Sequence, residues 1–260
     1  MLDLHCHILP GIDDGPANME ESLRLARQMV DDDVRAVAAT PHCRHDHPGV
    51  VPSELADRCL SLENELRAHQ IPLRVLPAGE VDLVWALEAS ADELRLASYD
   101  QRGKDLLVET PYGPLPSSFE DLLFKLNMKG YRLLLAHPER NPTFHQDHRR
   151  LAELVHRGTL VQVTASSLAG SRRGSKSAAL AQKLLVEGLV HVVASDTHGG
   201  AAPERPSLRA GASVALDLVG KRRARWLVWD VPTAILKGEE LPPQPAAAQP
   251  KRGLRHRLGL

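Results

Sequence analysis

Residues 3–15 read Asp3-Leu4-His5-Cys6-His7-Ile8-Leu9-Pro10-Gly11-Ile12-Asp13-Asp14-Gly15. The stretch starts as an apolar strand and ends in a turn rich in Pro, Gly and Asp. Side chains alternate along a strand, so His5 and His7 point to one face and Cys6 to the other. Six further short apolar runs follow, at 34–39, 75–78, 106–108, 133–136, 160–163 and 190–194. Their length and β-branched content suit strands buried on both faces. Helix patterns alternate with them. One spans 19–32 behind Asn18, with Glu21 three residues on as in a capping box, and Leu23, Ala26 and Val30 share its apolar face. Others span 118–129, stopping at Gly130, then 178–187 and 208–219. Alternating strands and helices predict an α/β fold with a parallel sheet. Seven strands favour a TIM-like (β/α) barrel over an open doubly wound sheet.

The polar residues fall at matching places on this frame. His5 and His7 close the first strand, Asp14 sits in the next loop, and His42 follows the second strand. Glu80 follows the third, Glu109 ends the fourth, His137 follows the fifth, and Asp196 and His198 follow the seventh. In a parallel barrel these strand ends open onto one face, where function resides. Each residue has an ordinary alternative taken alone. Asp14 belongs to an Asp-Asp-Gly turn, Asp196 could cap a helix, and His137 could be a packed loop residue. Their common placement favours a multinuclear metal site. A nitrogen and oxygen donor set without thiolate suits Mn, Fe or Zn better than Mg or Ca. Hydrolysis of a phosphate ester at neutral pH needs a hydroxide and a neutralised phosphoryl group, and divalent metals supply both. His45, His47, His145 and His148 fall in polar loops and read as surface residues.

Composition excludes other classes. The 260 residues carry a net charge of −1, with no basic, aromatic-rich face for nucleic acid. No apolar run is long enough to span a bilayer. A strand starting at Leu2 is expected to leave no room for a signal peptide, so the expected location is the cytoplasm. The cysteines, Cys6, Cys43 and Cys59, read as reduced thiols. A thiolate phosphatase needs an arginine six residues after its cysteine, and those positions hold Ile12, Gly49 and Glu65. Walker A and Rossmann glycine motifs are absent. Residues 1–241 are expected to form one domain. Residues 242–260, rich in Pro and Ala and then basic, are expected to be a disordered tail, with a docking arm as the alternative.

With these motifs in place, the chain resembles the bacterial PHP-superfamily metal-dependent tyrosine-protein phosphatases of the capsule-regulating CpsB/YwqE type. The likeness rests on residues 3–15, Thr40-Pro41-His42, Gly79-Glu80, Ala136-His137-Pro138-Glu139-Arg140-Asn141 and Ala194-Ser195-Asp196-Thr197-His198, in that order. It implies a distorted seven-stranded barrel, the PHP fold, with three divalent metals, Mn being expected. By resemblance, His5, His7, Glu80 and Asp196 would hold one metal. Glu80, Glu109 and His137 would hold a second, and Asp14, His42 and His198 a third. Arg140 and Arg205 resemble the phosphate-contacting arginines, and Arg172 and Arg173 lie where a protein substrate could be touched. The implied substrate is a phosphotyrosine protein, a bacterial tyrosine kinase of polysaccharide export. A small-molecule phosphatase, such as one for histidinol phosphate, and a non-catalytic metal-bound scaffold are the alternatives.

Overall fold

The structure, a computed structural model, describes residues 1–170, 175–199 and 207–246. Nine strand segments are present among them: β1 (Leu2–Cys6), β2 (Ala36–Ala39), β3 (His42–Cys43), β4 (Arg74–Pro77), β5 (Glu80–Val81), β6 (Asp105–Glu109), β7 (Arg132–Ala136), β8 (Leu160–Thr164) and β9 (Val192–Ala194). Each of the seven expected runs holds one segment, and β3 and β5 continue β2 and β4 after short breaks. The first break holds Pro41, which has no N–H to give to a ladder. The second holds Gly79, where an added Cβ would lie 2.5 Å from Cys43 Sγ. Pairing carries across both breaks, because Ala78 N donates to Ala39 O and Glu80 N to Pro41 O, each at 3.0 Å.

All strand pairs are parallel, in the orders β1-β2-β4 and β3-β5-β6-β7-β8-β9. The last strand returns to the first. Asp196 N donates to His5 O at 2.8 Å and His7 N to Thr197 O at 2.9 Å, which closes the sheet into a barrel. Strands buried over their full length, such as β1, β6 and β8, explain the near-continuous apolar runs of the sequence.

The helix Met19–Asp31 packs on the outer side of β1, where Ser22 Oγ donates to Ile8 O at 2.7 Å. Asn18 caps it by accepting from Glu21 N at 3.1 Å. Glu21 Oε2 reaches back to Ala17 N at 2.9 Å rather than to the cap residue itself, so the expected reciprocal bond is shifted by one position. Leu23, Ala26 and Met29 are buried on its inner face, while Val30 is only partly covered. Cys6 lies on this outer side of β1, its Sγ 4.0 Å from Met29 Sδ. At the opposite end from the strand termini, Trp226 Nε1 donates to Pro242 O at 2.9 Å and Gln244 Nε2 to Gly188 O at 3.1 Å. Pro242 and Gln244 are therefore tied to the barrel. Residues 247–260 of the expected tail lie outside the described residues, as do Arg172, Arg173 and Arg205. No helix among the described residues is long and apolar enough to cross a membrane.

Candidate metal centre

The C-terminal strand ends bring the expected residues to one place. Glu80 is the hub and is fully buried. Its Oε1 lies 3.0 Å from His137 Nε2, and its Oε2 lies 3.2 Å from His5 Nε2, 3.1 Å from His42 Nδ1 and 3.6 Å from His7 Nε2. Asp196 Oδ1 stands 3.2 Å from His5 Nε2 and 3.7 Å from His7 Nε2. Asp14 enters from the loop after β1, 54% exposed, and sets Oδ1 3.3 Å from His198 Nε2 and 3.6 Å from His42 Nε2. The His7 and His198 rings stack at 3.9 Å.

Among the described residues the donor atoms form three groups, each within 4.8 Å: His7, Asp14, His42 and His198; His5, His137 and Asp196; and His5, His7 and Glu80. Eight of the nine expected donors belong to them. Glu109 does not, because Arg44 Nη1 holds its two oxygens at 2.9 and 3.0 Å. Arg44 went unnoticed in the sequence, where it reads as one more loop arginine.

The residues behind the donors set their orientation. Asp13, which the sequence places in an Asp-Asp-Gly turn, does more than shape that turn. It accepts from His7 Nδ1 at 2.7 Å, from His42 N at 3.2 Å and from Gly15 N at 3.0 Å. Gln162 belongs to β8, the one expected strand without a predicted donor, and its pattern in the sequence gives no sign of a role. Its Oε1 lies 3.0 Å from His5 Nδ1 and accepts from His137 N at 3.3 Å. With Nδ1–H directed outward to an acceptor, His5 and His7 turn Nε2 inward, the arrangement metal-bound imidazoles use. The sign of Asp13 in the sequence was the doubled acid after His-x-His: one carboxylate faces the centre and the other supports a ring. His47, read as a surface residue, is half-buried with its ring 5.3 Å from that of His42. Polar loop composition says nothing of where the loop folds back.

This cluster fits divalent cations. Glu80 Oε2 and His42 Nδ1 are buried, face each other and lack hydrogen-bond partners. The two inward Nε2 atoms of His5 and His7 stand 3.3 Å apart. Without a cation, only protons can relieve lone pairs crowded against carboxylates. Burial favours neutral His5, but Glu80 and Asp196 outweigh it and raise its pKa to about 9. Burial likewise opposes charge on His7, yet its bond to Asp13 and the nearby Glu80 carboxylate raise it to about 10. Burial and the neighbouring His7 lower His198 to about 4, leaving it a neutral donor. Burial raises all three cysteine thiols, which suits inert core residues and no nucleophile.

Two of the donors sit on strained backbone. His137 has φ 37° and Asp196 φ 51°. Left-handed conformations at such residues cost about 1–3 kcal/mol each and gather at functional sites. Gly15 is constrained differently, since a Cβ there would meet His7 O at 2.3 Å. Asp13→Asn keeps this packing but weakens the acceptor behind His7. It is expected to lower metal affinity by about 10–100-fold, read by metal titration; unchanged affinity would show that Asp13 only shapes the turn.

A sequence profile described as "Capsular polysaccharide synthesis, CpsB/CapC" matches residues 1–237. The tyrosine-protein phosphatase YwqE of Bacillus subtilis is 35% identical over 198 residues, covering 76% of this chain and 77% of its own. The tyrosine-protein phosphatase CpsB of Streptococcus agalactiae is 27% identical over 248 residues, covering 91% of this chain and 98% of its own. A crystal structure from a study of YwqE from Bacillus subtilis and CpsB from Streptococcus pneumoniae, described as unique metal-dependent tyrosine phosphatases, superposes with a TM-score of 0.81. Its identity is 31%, and the match covers 97% of this chain and 100% of that one. An organophosphorus hydrolase from Deinococcus radiodurans shares the fold at a TM-score of 0.52 and 14% identity, over 90% of this chain and 91% of its own.

Proposed function

The chain belongs to the CpsB/CapC family of capsular polysaccharide synthesis, and on that premise we propose that it is a metal-dependent protein-tyrosine phosphatase. The observation that carries the reading is buried Glu80, ringed by the imidazoles of His5, His7, His42 and His137. Its physiological substrate is a phosphotyrosine protein, in this reading a bacterial tyrosine kinase of polysaccharide export met in the cytoplasm. The site holds three divalent cations, manganese by preference, in a catalytic domain of residues 1–241.

When bound, the cations acidify water and draw charge from the phosphoryl oxygens. His5, His7, Glu80 and Asp196 would hold one cation. Asp14, His42 and His198, with His7 near them, would hold a second. His137 and Glu80, with Glu109, would hold a third. Arg140 stands at the rim, 29% exposed, with Nη1 2.6 Å from Asp196 Oδ2. A guanidinium carries five N–H donors, so the ion pair leaves others for phosphoryl oxygens. Arg205 is assigned the same role. Asp13 and Gln162 retain the outward protons of His7 and His5, keeping each Nε2 free to bind.

Chelation is expected to abolish phosphate release from a phosphotyrosine peptide, and added Mn²⁺ to restore it. Histidinol phosphate is expected to be the poorer substrate. Arg140→Ala should retain metal while losing roughly a hundredfold or more in turnover, the usual cost of removing one donor to developing charge. Metal-replete protein inactive on the peptide would overturn the proposal.

A further inference from the structure

Tyr112 lies in the loop after β6, and its side chain is 65% exposed. An exposed aromatic by itself needs no explanation. This one is held rigidly beside the metal centre. Its ring stacks on that of His137, with centroids 6.3 Å apart and planes 23° apart, and His137 Nε2 is bonded to Glu80. The loop that presents it is pinned on both sides. Asn141 Nδ2 donates to Pro111 O at 2.6 Å and to Gly113 O at 2.9 Å, so one amide clamps the residues flanking Tyr112. Leu115 N donates to Thr143 Oγ1 at 3.0 Å, and Thr110 Oγ1 donates to Ala136 O. Pro111 and Pro114 restrict the backbone further. Holding a loop this firmly costs conformational freedom, and nothing in the barrel's packing needs the Tyr112 ring, which leaves most of its surface in water.

We propose that Tyr112 forms one wall of an aryl subsite, stacking on the phenyl ring of the substrate while its phosphate enters the metal centre. The inference rests on the phosphotyrosine reading above and names what selects for it. In an aryl phosphate the ring is one ester oxygen from phosphorus, so a phosphate seated among these donors carries a flat apolar face to the rim. Alkyl phosphates carry no such face. A ring already stacked on His137 and fixed by Asn141 receives that face without further ordering, the condition under which an aromatic contact retains its full value.

The test compares phenylphosphonate with methylphosphonate, binding to the metal-loaded protein by calorimetry. Tyr112→Ala should weaken phenylphosphonate roughly three- to tenfold, the scale of one aromatic contact, and leave methylphosphonate unaltered. Tyr112→Phe should keep the aryl preference, since the ring and not the hydroxyl carries it. Equal weakening of both ligands, or of neither, overturns the inference. Wild-type protein that binds neither phosphonate overturns it together with the phosphatase reading. A Tyr112-dependent aryl preference in a protein that fails to hydrolyse phosphotyrosine peptide would sink only the phosphatase reading.

Discussion

Glu80→Gln is expected to strip the protein of divalent metal and to lower phosphatase turnover by well over about a hundredfold, beyond what losing a supporting residue costs. Glu80 Oε2 is approached by His5, His7 and His42, and Oε1 by His137. Burial alone would raise its pKa, yet the charge of His5, the bond to His137 and the nearby His42 imidazole hold it well below the ordinary carboxylate range. An amide of the same shape keeps the packing but removes the negative charge that makes the cluster attractive to cations. The measurement pairs metal analysis with turnover on a phosphotyrosine peptide. Glu80→Gln protein that retains full metal content would remove Glu80 from its place at the centre.

Metal-free protein is expected to lose stability as the pH rises from about 6.5 to about 10. The ordinary histidine value is 6.5, and the folded chain raises His5 to about 9 and His7 to about 10. A raised folded-state pKa stabilises fully below 6.5, and that contribution is lost as the pH climbs through 9 and 10. Two such groups amount to several kcal/mol, on the order of ten at most. Metal loading should flatten the slope, because cations then take the place of the protons, and metal uptake near pH 7.5 should release protons. Asp196 acts at the acid end. Burial works against its charge, but His5, His137 and Arg140 depress it to about 2, so its contribution fades as the pH falls from 3.8 through 2. Urea midpoints at pH 6, 7.5 and 9, with and without chelator, read the effect. A flat profile for the metal-free protein would show that His5 and His7 are neutral in the cluster.

The amino-acid sequence by itself determined the elements and named the residues that meet at the strand ends. Short apolar runs that alternate with helix patterns point to buried parallel strands, and residues at equivalent strand ends share a barrel face. The helix predicted over 208–219 is the helix Leu208–Val219, because its apolar spacing and its Gly220 boundary act within a few residues of each other. Tertiary structure alone decided which donors share a group and what stands behind them. Gln162 sits mid-strand and looks like an isolated polar residue until closure sets it against His5, 157 positions away. Arg44 meets Glu109 across 65 positions, and Asn141 clamps the Tyr112 loop from 28 and 30 away. Side-chain partners of that kind depend on how far each strand is shifted against the next, and on the breaks at Pro41 and Gly79 that separate β3 and β5 from β2 and β4. Local residue patterns carry the strand period, but the relative placement of strands exists only once the barrel has closed.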